Sequence, residues 1–385
     1  MTRLGQFGDP CVERHSAFIV DRGGTNRVFQ PIDLTTVTWE RAMDRKTKAS
    51  ILITGRACSR QAALLNSIRA RRHELVIFRG SSRVWEGPIT NTESTSSFFR
   101  VDAADVIEYL DFTALSRAWP DTTGGKVMTE RLREIITYEL TTDYVMPTND
   151  GNVTVTRWEN VDPPANVLPY LDIRTGTTKT RSSTDPFDMT VGEHLYDLGR
   201  SIGVNYTTIG RKLLIWDGFL GRLRTVTEND FAGDFSVIGA GTDFWNISHV
   251  SAVTAEEGQP PAVGHAANAQ GYYGPWEKVT SVQSEDTSSL DPSQSELNSQ
   301  ARRELSGRYP VPLVLASTDG GSIIPSKGIT INQLVAGVQI PVVASRNIRN
   351  VSQMQRLVSL RVTENATTGE TLSATLEADG EVFEA

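Results

Sequence analysis

Residues 325–345 read PSKGITINQLVAGVQIPVVAS, and residues 353–378 read QMQRLVSLRVTENATTGETLSATLEA. In 357–363 and 371–377 apolar and polar side chains take turns, which is the period of a half-buried strand. Residues 328–333 and 336–344 read as two further extended segments. Between the alternating pair, 365–369 is rich in Thr, Asn and Gly and reads as a hairpin loop. Pro325 and Pro341 stand where a strand begins or meets an edge, positions that tolerate a residue without an N–H. This stretch predicts a closing antiparallel β unit.

The same extended pattern fills residues 1–118. Short runs at 16–21 (SAFIVD), 27–34, 37–41 and 50–55 (SILITG) are separated by Gly23-Gly24 and Asp33. Residues 74–78 and 84–89 form a hairpin around Gly80-Ser81-Ser82, and 98–102 adds a strand. Ala62, Ala63, Leu65 and Ile68 place a short helix or connection at 60–72, and 103–110 reads as a helical turn. The inventory is that of a β-barrel or sandwich with one or two small helices.

Trp119-Pro120, followed by DTTGG at 121–125, marks a boundary. After it, Leu132, Ile135, Ile136 and Leu140 give 127–141 an amphipathic helical stripe. Asn149-Asp150-Gly151 is a turn signal leading into a strand at 153–158. A second helix spans 188–203, with Thr190 and Glu193 as a capping box and Gly203 at its C-terminal end. The sequence GVNYTTIGRKLLIWD (203–217) is a hairpin pivoting near Gly210, and 235–238 with 245–253 is expected to complete a small sheet. The middle segment, 119–262, is thus α+β, with helices on one face of a sheet. A second boundary falls at 259–264. Beyond it, 279–285 and 311–316 read as strands flanking a helix at 291–306 that bridges two β layers, with Pro292 in its first turn and Gly307 as its stop. Three units follow: 1–118, 119–262 and 263–385.

Two blocks carry a resemblance. INQLVAGVQIPVV (331–343), followed by LVSLRVTE (357–364), resembles the closing domain of minor tail proteins of long-tailed actinobacterial phages. RRHELVIFRG (71–80), RVWEGPIT (83–90) and FRVDAADVIEYLDFTAL (99–115) resemble, in that order, the first domain of the same family. Its fold is similar to the central hub of contractile phage baseplates. The resemblance implies a mainly β tail-hub fold with tail-tube-like barrels. It also implies a virion tail-tip protein made in the host cytoplasm, forming a ring that joins tube to tip and lines the channel for DNA. The implied partners are copies of itself, as a trimer or alternatively a hexamer, and the distal tail, tape-measure and tip proteins.

Composition narrows the rest. With 385 residues the chain has room for two or three well-buried domains. Its net charge of −8, from 46 acidic and 38 basic residues, argues against a clamp on DNA phosphates, which needs a basic stripe. Such a balance suits a channel that DNA slides through without sticking. Cys11 and Cys58 have no CxxC partner, and His15, His73, His194, His249 and His265 show no HxxxH or HExxH spacing, so a metal site has little support. There is no stretch of the roughly 18 apolar residues that a membrane span needs, nor a hydrophobic leader core in MTRLGQFGDP. No GxSxG elbow or phosphate loop occurs, and Gly23-Gly24 and 239–241 read as ordinary turns; no cofactor is implied.

Two carboxylate groups invite an enzymatic interpretation. Asp102, Asp105, Glu108 and Asp111 have spacings that suit a glycosidase pair, and Glu130 with Glu134 suit acid–base work. A partly exposed helix start and a solvated helix face account for them without chemistry. Tyr272, Tyr273 and Trp276, set among Gly and Pro, point to a subunit contact, because Tyr and Trp are enriched at interfaces. A groove that stacks sugars is the alternative. The functions that follow are a structural tail-tip hub without enzymatic activity, a receptor- or carbohydrate-binding tail module, and a hub that hydrolyses peptidoglycan. The last is disfavoured because the chain ends just after the hub-like segment.

Overall fold

The structure is a computed structural model. It describes residues 15–382 apart from 23–26, 31–33, 55–58, 121–124, 162–166, 181–182, 233–234, 240, 253–260, 269–271, 283–293, 309–311, 318–321, 324–328, 346–349, 366 and 368. Cys11, Cys58, Gly23-Gly24, Pro292, Pro325, residues 121–124 of the first expected boundary and 259–260 of the second lie outside the described residues.

Strands β1 (His15–Asp21), β2 (Arg27–Phe29), β3 (Leu34–Ala42) and β4 (Lys48–Thr54) precede helix α1 (Ser59–Ser67). Strands β5 (His73–Arg79), β6 (Ser82–Ser94) and β7 (Phe98–Ala104) lead to the short helix α2 (Ile107–Asp111). The middle holds β8 (Lys126–Val127), α3 (Met128–Thr141), β9 (Tyr144–Thr148), β10 (Gly151–Val155), β11 (Leu171–Ile173), β12 (Lys179–Thr180), α4 (Val191–Ile202), β13 (Val204–Ile209) and β14 (Lys212–Asp217). Then come β15 (Phe231–Ala232), β16 (Phe235–Gly239), β17 (Ile247–Ala252), β18 (Val263–Ala267), β19 (Glu277–Val282) and α5 (Gln294–Leu305). The chain closes with β20 (Leu313–Ser317), β21 (Ser322–Ile323), β22 (Gln339–Ala344), β23 (Val351–Asn365) and β24 (Gly369–Val382).

A ten-stranded sheet dominates, in the order β2-β1-β5-β6-β7-β4-β3-β23-β22 with β24 on β23. Long β6 serves two partners: residues 82–88 pair with β5 and 89–94 with β7, with a bulge between Ile89 and Asn91. A bulge bends a strand and raises its twist, so the sheet folds over itself. Ile19 and Ile77 from one half then share a core with Trp39, Ile51 and Leu360 from the other. The alternating pair read at 357–363 and 371–377 forms the β23–β24 hairpin as expected. β23 also pairs with β3 from Thr36 to Ala42, so the chain's last hairpin and its first strands lie in one sheet.

Strand β14 explains why the middle segment is fixed to this sheet. Its run Leu213-Leu214-Ile215-Trp216 has no polar alternation, the mark of a strand buried on both faces. Leu214 and Trp216 enter the core of the large sheet, whereas Leu213 and Ile215 enter a second core with Leu132, Ile136 and Leu195 from α3 and α4. Each such side chain contributes roughly 2 kcal/mol by burial, so the two cores are coupled through one strand. Helix α4 starts as read: Thr190 accepts from the Glu193 amide, Glu193 reaches back to the Thr190 amide, and Gly203 ends the helix in the left-handed region.

Three expectations are corrected. Of the strand expected at 328–333, residue 328 lies outside the described residues and 329–333 do not form it; 331–333 is a turn between an isolated bridge at Ile329 and buried Leu334. The carbonyls of Ile331 and Leu334 are taken by the Arg41 guanidinium at 2.7 and 3.2 Å rather than by a ladder. The strand expected at 336–344 begins only at Gln339. Strand β16 does not join β17; it pairs with β20, while β17 lies between antiparallel β18 and parallel β19. Periodicity identifies a strand but not its partner. Helix α5 covers one face of that small sheet, packing Leu297 and Ala301 on Val250 and Ala252. The approach is so close that a Cβ on Gly264 would sit 2.2 Å from the Leu297 backbone.

Candidate functional site

The aromatic group lies at the mouth of β19. Tyr272 is 97 % exposed and Trp276 58 % exposed, while Tyr273 is half-buried against Phe244, ring centroids 4.9 Å apart. Tyr272 stands edge-on to Tyr273 at 5.4 Å. The Trp276 indole N–H donates to the Tyr273 carbonyl at 2.8 Å, and the Trp276 amide donates to Asn246 Oδ1 at 2.9 Å. These bonds fix Trp276, and Tyr272 and Trp276 keep apolar surface toward solvent, as an interface anchor requires. Val279, 67 % exposed, stands on β19 opposite His249 of β17, on the same sheet face. Beside it, His249 Nδ1 meets His265 Nδ1 at 2.8 Å and His249 Nε2 meets Glu277 at 3.2 Å.

The carboxylates near α2 are not a solvated helix start. Asp105 and Glu108 are buried. Asp105 accepts from the Thr47 amide (2.8 Å), the Thr47 hydroxyl (2.7 Å), the Thr208 hydroxyl (3.0 Å) and the Ile107 amide (3.1 Å). Burial pushes its pKa up to about 6 against the pull of these donors. Glu108 accepts from Lys46 at 2.6 Å and from Arg71, and Asp111 also pairs with Lys46. Asp102 is held by Arg100 at 2.8 Å. Every oxygen pair in this group is engaged by a neighbour rather than facing an open cleft. Glu130 and Glu134 are exposed on α3 as expected, and Glu134 pairs with Lys126.

Sequence patterns gave no warning of the buried ionic knots. Glu74 and Glu86, both fully buried, converge on Arg211 at 2.6 and 2.9 Å, and the Tyr109 hydroxyl donates to Glu74. Burial raises the Glu86 pKa to about 7, Arg211 pulling against it and Glu74 pushing with it. Glu139 accepts from Ser116, Trp119 and Arg157. Arg211 sits in the β13–β14 turn and the two glutamates on β5 and β6, so the first knot ties the middle segment to the large sheet. The Arg211 ties to Glu74 and Glu86 span 137 and 125 residues of sequence and leave no local signal.

Among the described residues, one group of three side chains has metal-like spacing. His15, Glu364 and Glu370 bring donor atoms within 4.8 Å of one another. Their chemistry does not fit a cation. The Trp39 indole, a donor only, gives its N–H to His15 Nε2 at 2.9 Å. That consumes the lone pair of a neutral imidazole, leaving Nδ1 to carry the proton it gives Glu364 at 2.6 Å. Glu370 is gripped by Arg79 at 2.8 and 3.0 Å. Cross-strand pair His15–Arg79 thus faces cross-strand pair Glu364–Glu370, a polar clasp between the first strand and the last hairpin. Among the other histidines, His194 is buried in the second core with its pKa lowered to about 4 by burial and Arg131. His73 is buried and accepts from the Arg69 amide through Nδ1 at 3.0 Å.

No known family profile matches the sequence, and no curated protein matches it. Solved structures do match its shape. A 43 kDa tail protein of prophage MuSo2 from Shewanella oneidensis superposes with a TM-score of 0.61 at 9% identity, covering 95% of this chain and 100% of that one. A tail protein from Neisseria meningitidis gives 0.56 at 10% identity over 94% and 96%. The prophage tail protein gp18 from Listeria monocytogenes gives 0.52 at 10% identity over 94% of each. The chain has a phage tail protein fold, mainly β with an α+β middle.

Proposed function

We propose that this chain is a structural component of a bacteriophage tail, acting without enzymatic activity at the tail tip. The observation that carries this is end-to-end likeness: nearly the whole chain superposes on nearly the whole of three separate tail proteins. The buried carboxylate clusters add support, since their oxygens are spent on neighbouring side chains and amides. In this account the ten-stranded sheet is the rigid body of a hub ring that joins tube to tip. The net charge of −8 keeps genome phosphates from adhering to a channel wall.

The finer assignments rest on the resemblance carried by 331–343, 357–364 and 71–115: long-tailed phages of actinobacteria, a trimer or else a hexamer, and distal tail, tape-measure and tip proteins as neighbours. The division at 118/119 and 262/263 remains part of this proposal, with the shared sheet between β3 and β23 as the joint between the outer units. Tyr272, Tyr273 and Trp276 are assigned to a subunit contact. The exposure of Tyr272 and Trp276 also supports the second proposal, a tail module that stacks receptor sugars.

The test is labelling. Antibody against this chain, applied to tailed particles from a host carrying the gene, should mark one point at the end of the tail away from the head. Labelling along the tube, on the head, or on no particle would overturn the proposal.

A further inference from the structure

The small sheet β18-β17-β19 has two unlike faces. One packs Val250, Ala252 and Ala266 on Leu297 and Ala301 of α5. The other carries His249, His265 and Val279, since cross-strand partners share a face and side chains alternate along a strand. This second face opens to solvent: His265 and Glu277 are exposed, and His249 between them is half-buried.

His249 and His265 are direct partners across the β17–β18 ladder. The Ala252 amide donates to the Ala262 carbonyl and the Asn268 amide to the Asn246 carbonyl, which puts the hydrogen-bonded pairs at even positions. The His265 amide turns the other way, to Asn298 Oδ1 at 2.9 Å. The two histidines are therefore a non-hydrogen-bonded pair, the kind whose side chains approach most closely. Their rings stand at 81°, with Nδ1 2.8 Å from Nδ1. At its far side the His249 ring meets Glu277 through Nε2 at 3.2 Å. An ionised carboxylate only accepts, so His249 Nε2 carries a proton and its Nδ1 holds the lone pair that takes the His265 Nδ1–H. A carboxylate behind an imidazole is the arrangement that fixes the tautomer and orientation of a metal-binding histidine.

We infer that His249 Nδ1 and His265 Nδ1 together bind a divalent first-row transition cation, zinc foremost, with Glu277 holding the His249 ring in place. Imidazole nitrogen is a ligand that such ions favour. The cation takes the position of the proton shared by the rings. His265 carries that proton on Nε2 instead, both Nδ1 lone pairs turn to the metal, and no net proton is released. Two Zn–N bonds of about 2.0–2.1 Å at a tetrahedral angle set the nitrogens roughly 3.3 Å apart. The rings then part by roughly 0.5 Å from their present contact. His265 is exposed on an edge strand, so its side-chain torsions can supply that shift. Water completes the coordination. A search for HxxxH or HExxH misses such a pair because those are helical spacings, whereas here 16 residues separate the ligands. The inference stands apart from the tail assignment.

The test is calorimetric titration of the full chain, free of any purification tag, with zinc chloride; Cys11→Ser and Cys58→Ser remove the two thiols. One zinc per chain is expected, and zinc K-edge absorption should show two imidazole nitrogens at about 2.0–2.1 Å. His249→Asn and His265→Asn should each weaken binding roughly tenfold or more, and Glu277→Gln about tenfold. All three should leave thermal unfolding of the zinc-free chain unchanged. Glu134→Gln, on the exposed face of α3, should leave zinc affinity unaltered. No binding up to about 1 mM zinc, binding that survives either histidine substitution, or full affinity in Glu277→Gln would each overturn the inference. Tail-end labelling does not depend on any of these results, so failure here is distinguishable from failure of the tail assignment.

Discussion

Replacing Arg211 with Met should be among the most damaging single changes in this protein, and its damage should depend on pH in a fixed direction. Arg211 is 2 % exposed and holds Glu74 and Glu86, each 0 % exposed, at 2.6 and 2.9 Å. Removing one partner of a buried ion pair typically costs about 3–5 kcal/mol, because the remaining charge has lost its compensation. Here two carboxylates are stranded. The Arg83 Nε lies 2.8 Å from Glu86 Oε2 without hydrogen-bond geometry, so it offsets part of the loss at Glu86 through charge alone.

Glu86 already has a pKa raised to about 7. A carboxylate whose folded pKa lies above its unfolded value contributes stability that is complete below the unfolded pKa and is lost as pH rises through the folded one. Without Arg211 that pKa climbs further, each unit being worth about 1.4 kcal/mol. The variant should therefore lose most at pH 8 and less at pH 5, where Glu86 holds its proton. Urea unfolding followed by tryptophan fluorescence reads this as a midpoint shift, and the seven tryptophans include buried Trp39, Trp85 and Trp216. A loss below about 1 kcal/mol at pH 8, or an equal loss at the two pH values, would refute the ionic knot as the tie between segments.

Three further outcomes follow from the same physics. Asp44 accepts from the Tyr206 amide at 2.9 Å, and burial raises its pKa to about 6, as for Asp105; their stabilising effect is full below the unfolded value of about 4 and lost through about 6, so Asp44→Asn should flatten part of the decline in melting temperature between these limits. Thr190→Ala removes the capping box of α4 and should cost about 1 kcal/mol in thermal unfolding, with Thr190→Ser restoring most of it. Arg41, buried with its pKa lowered to about 10 by desolvation, ties the carbonyls of Ile331, Leu334 and Val84; Arg41→Met should cost about 2 kcal/mol or more and speed hydrogen exchange at 329–338 before other segments.

What the sequence made legible was local. The β23–β24 hairpin, the 74–89 hairpin, α3, α4 with its cap, and the turn at Gly210 follow from period, turn residues and capping pairs that act within a few positions. The misplaced turn at 331–333 failed for a non-local reason: its carbonyls are answered by Arg41, 290 residues away in sequence. The partners of β16 and β17 were equally invisible, because alternation says which face is buried and not against what. Asp105 and Glu108 read as exposed because acids near a helix start usually are, whereas here Thr47, Thr208, Lys46 and Arg71 make burial tolerable. Of the candidate site, the exposed aromatic group was legible from Tyr272 and Trp276 flanked by Gly and Pro. The His249–His265 pair was not, because strand pairing rather than spacing brings the two rings together.

The most direct measurement is electron microscopy of the purified chain at concentrations where its solution mass shows assembly. The account predicts closed rings of three or six copies with a central opening wide enough to pass a DNA duplex. A chain that stays monomeric at every concentration, or that pairs only as a solid twofold dimer with no opening, would contradict it.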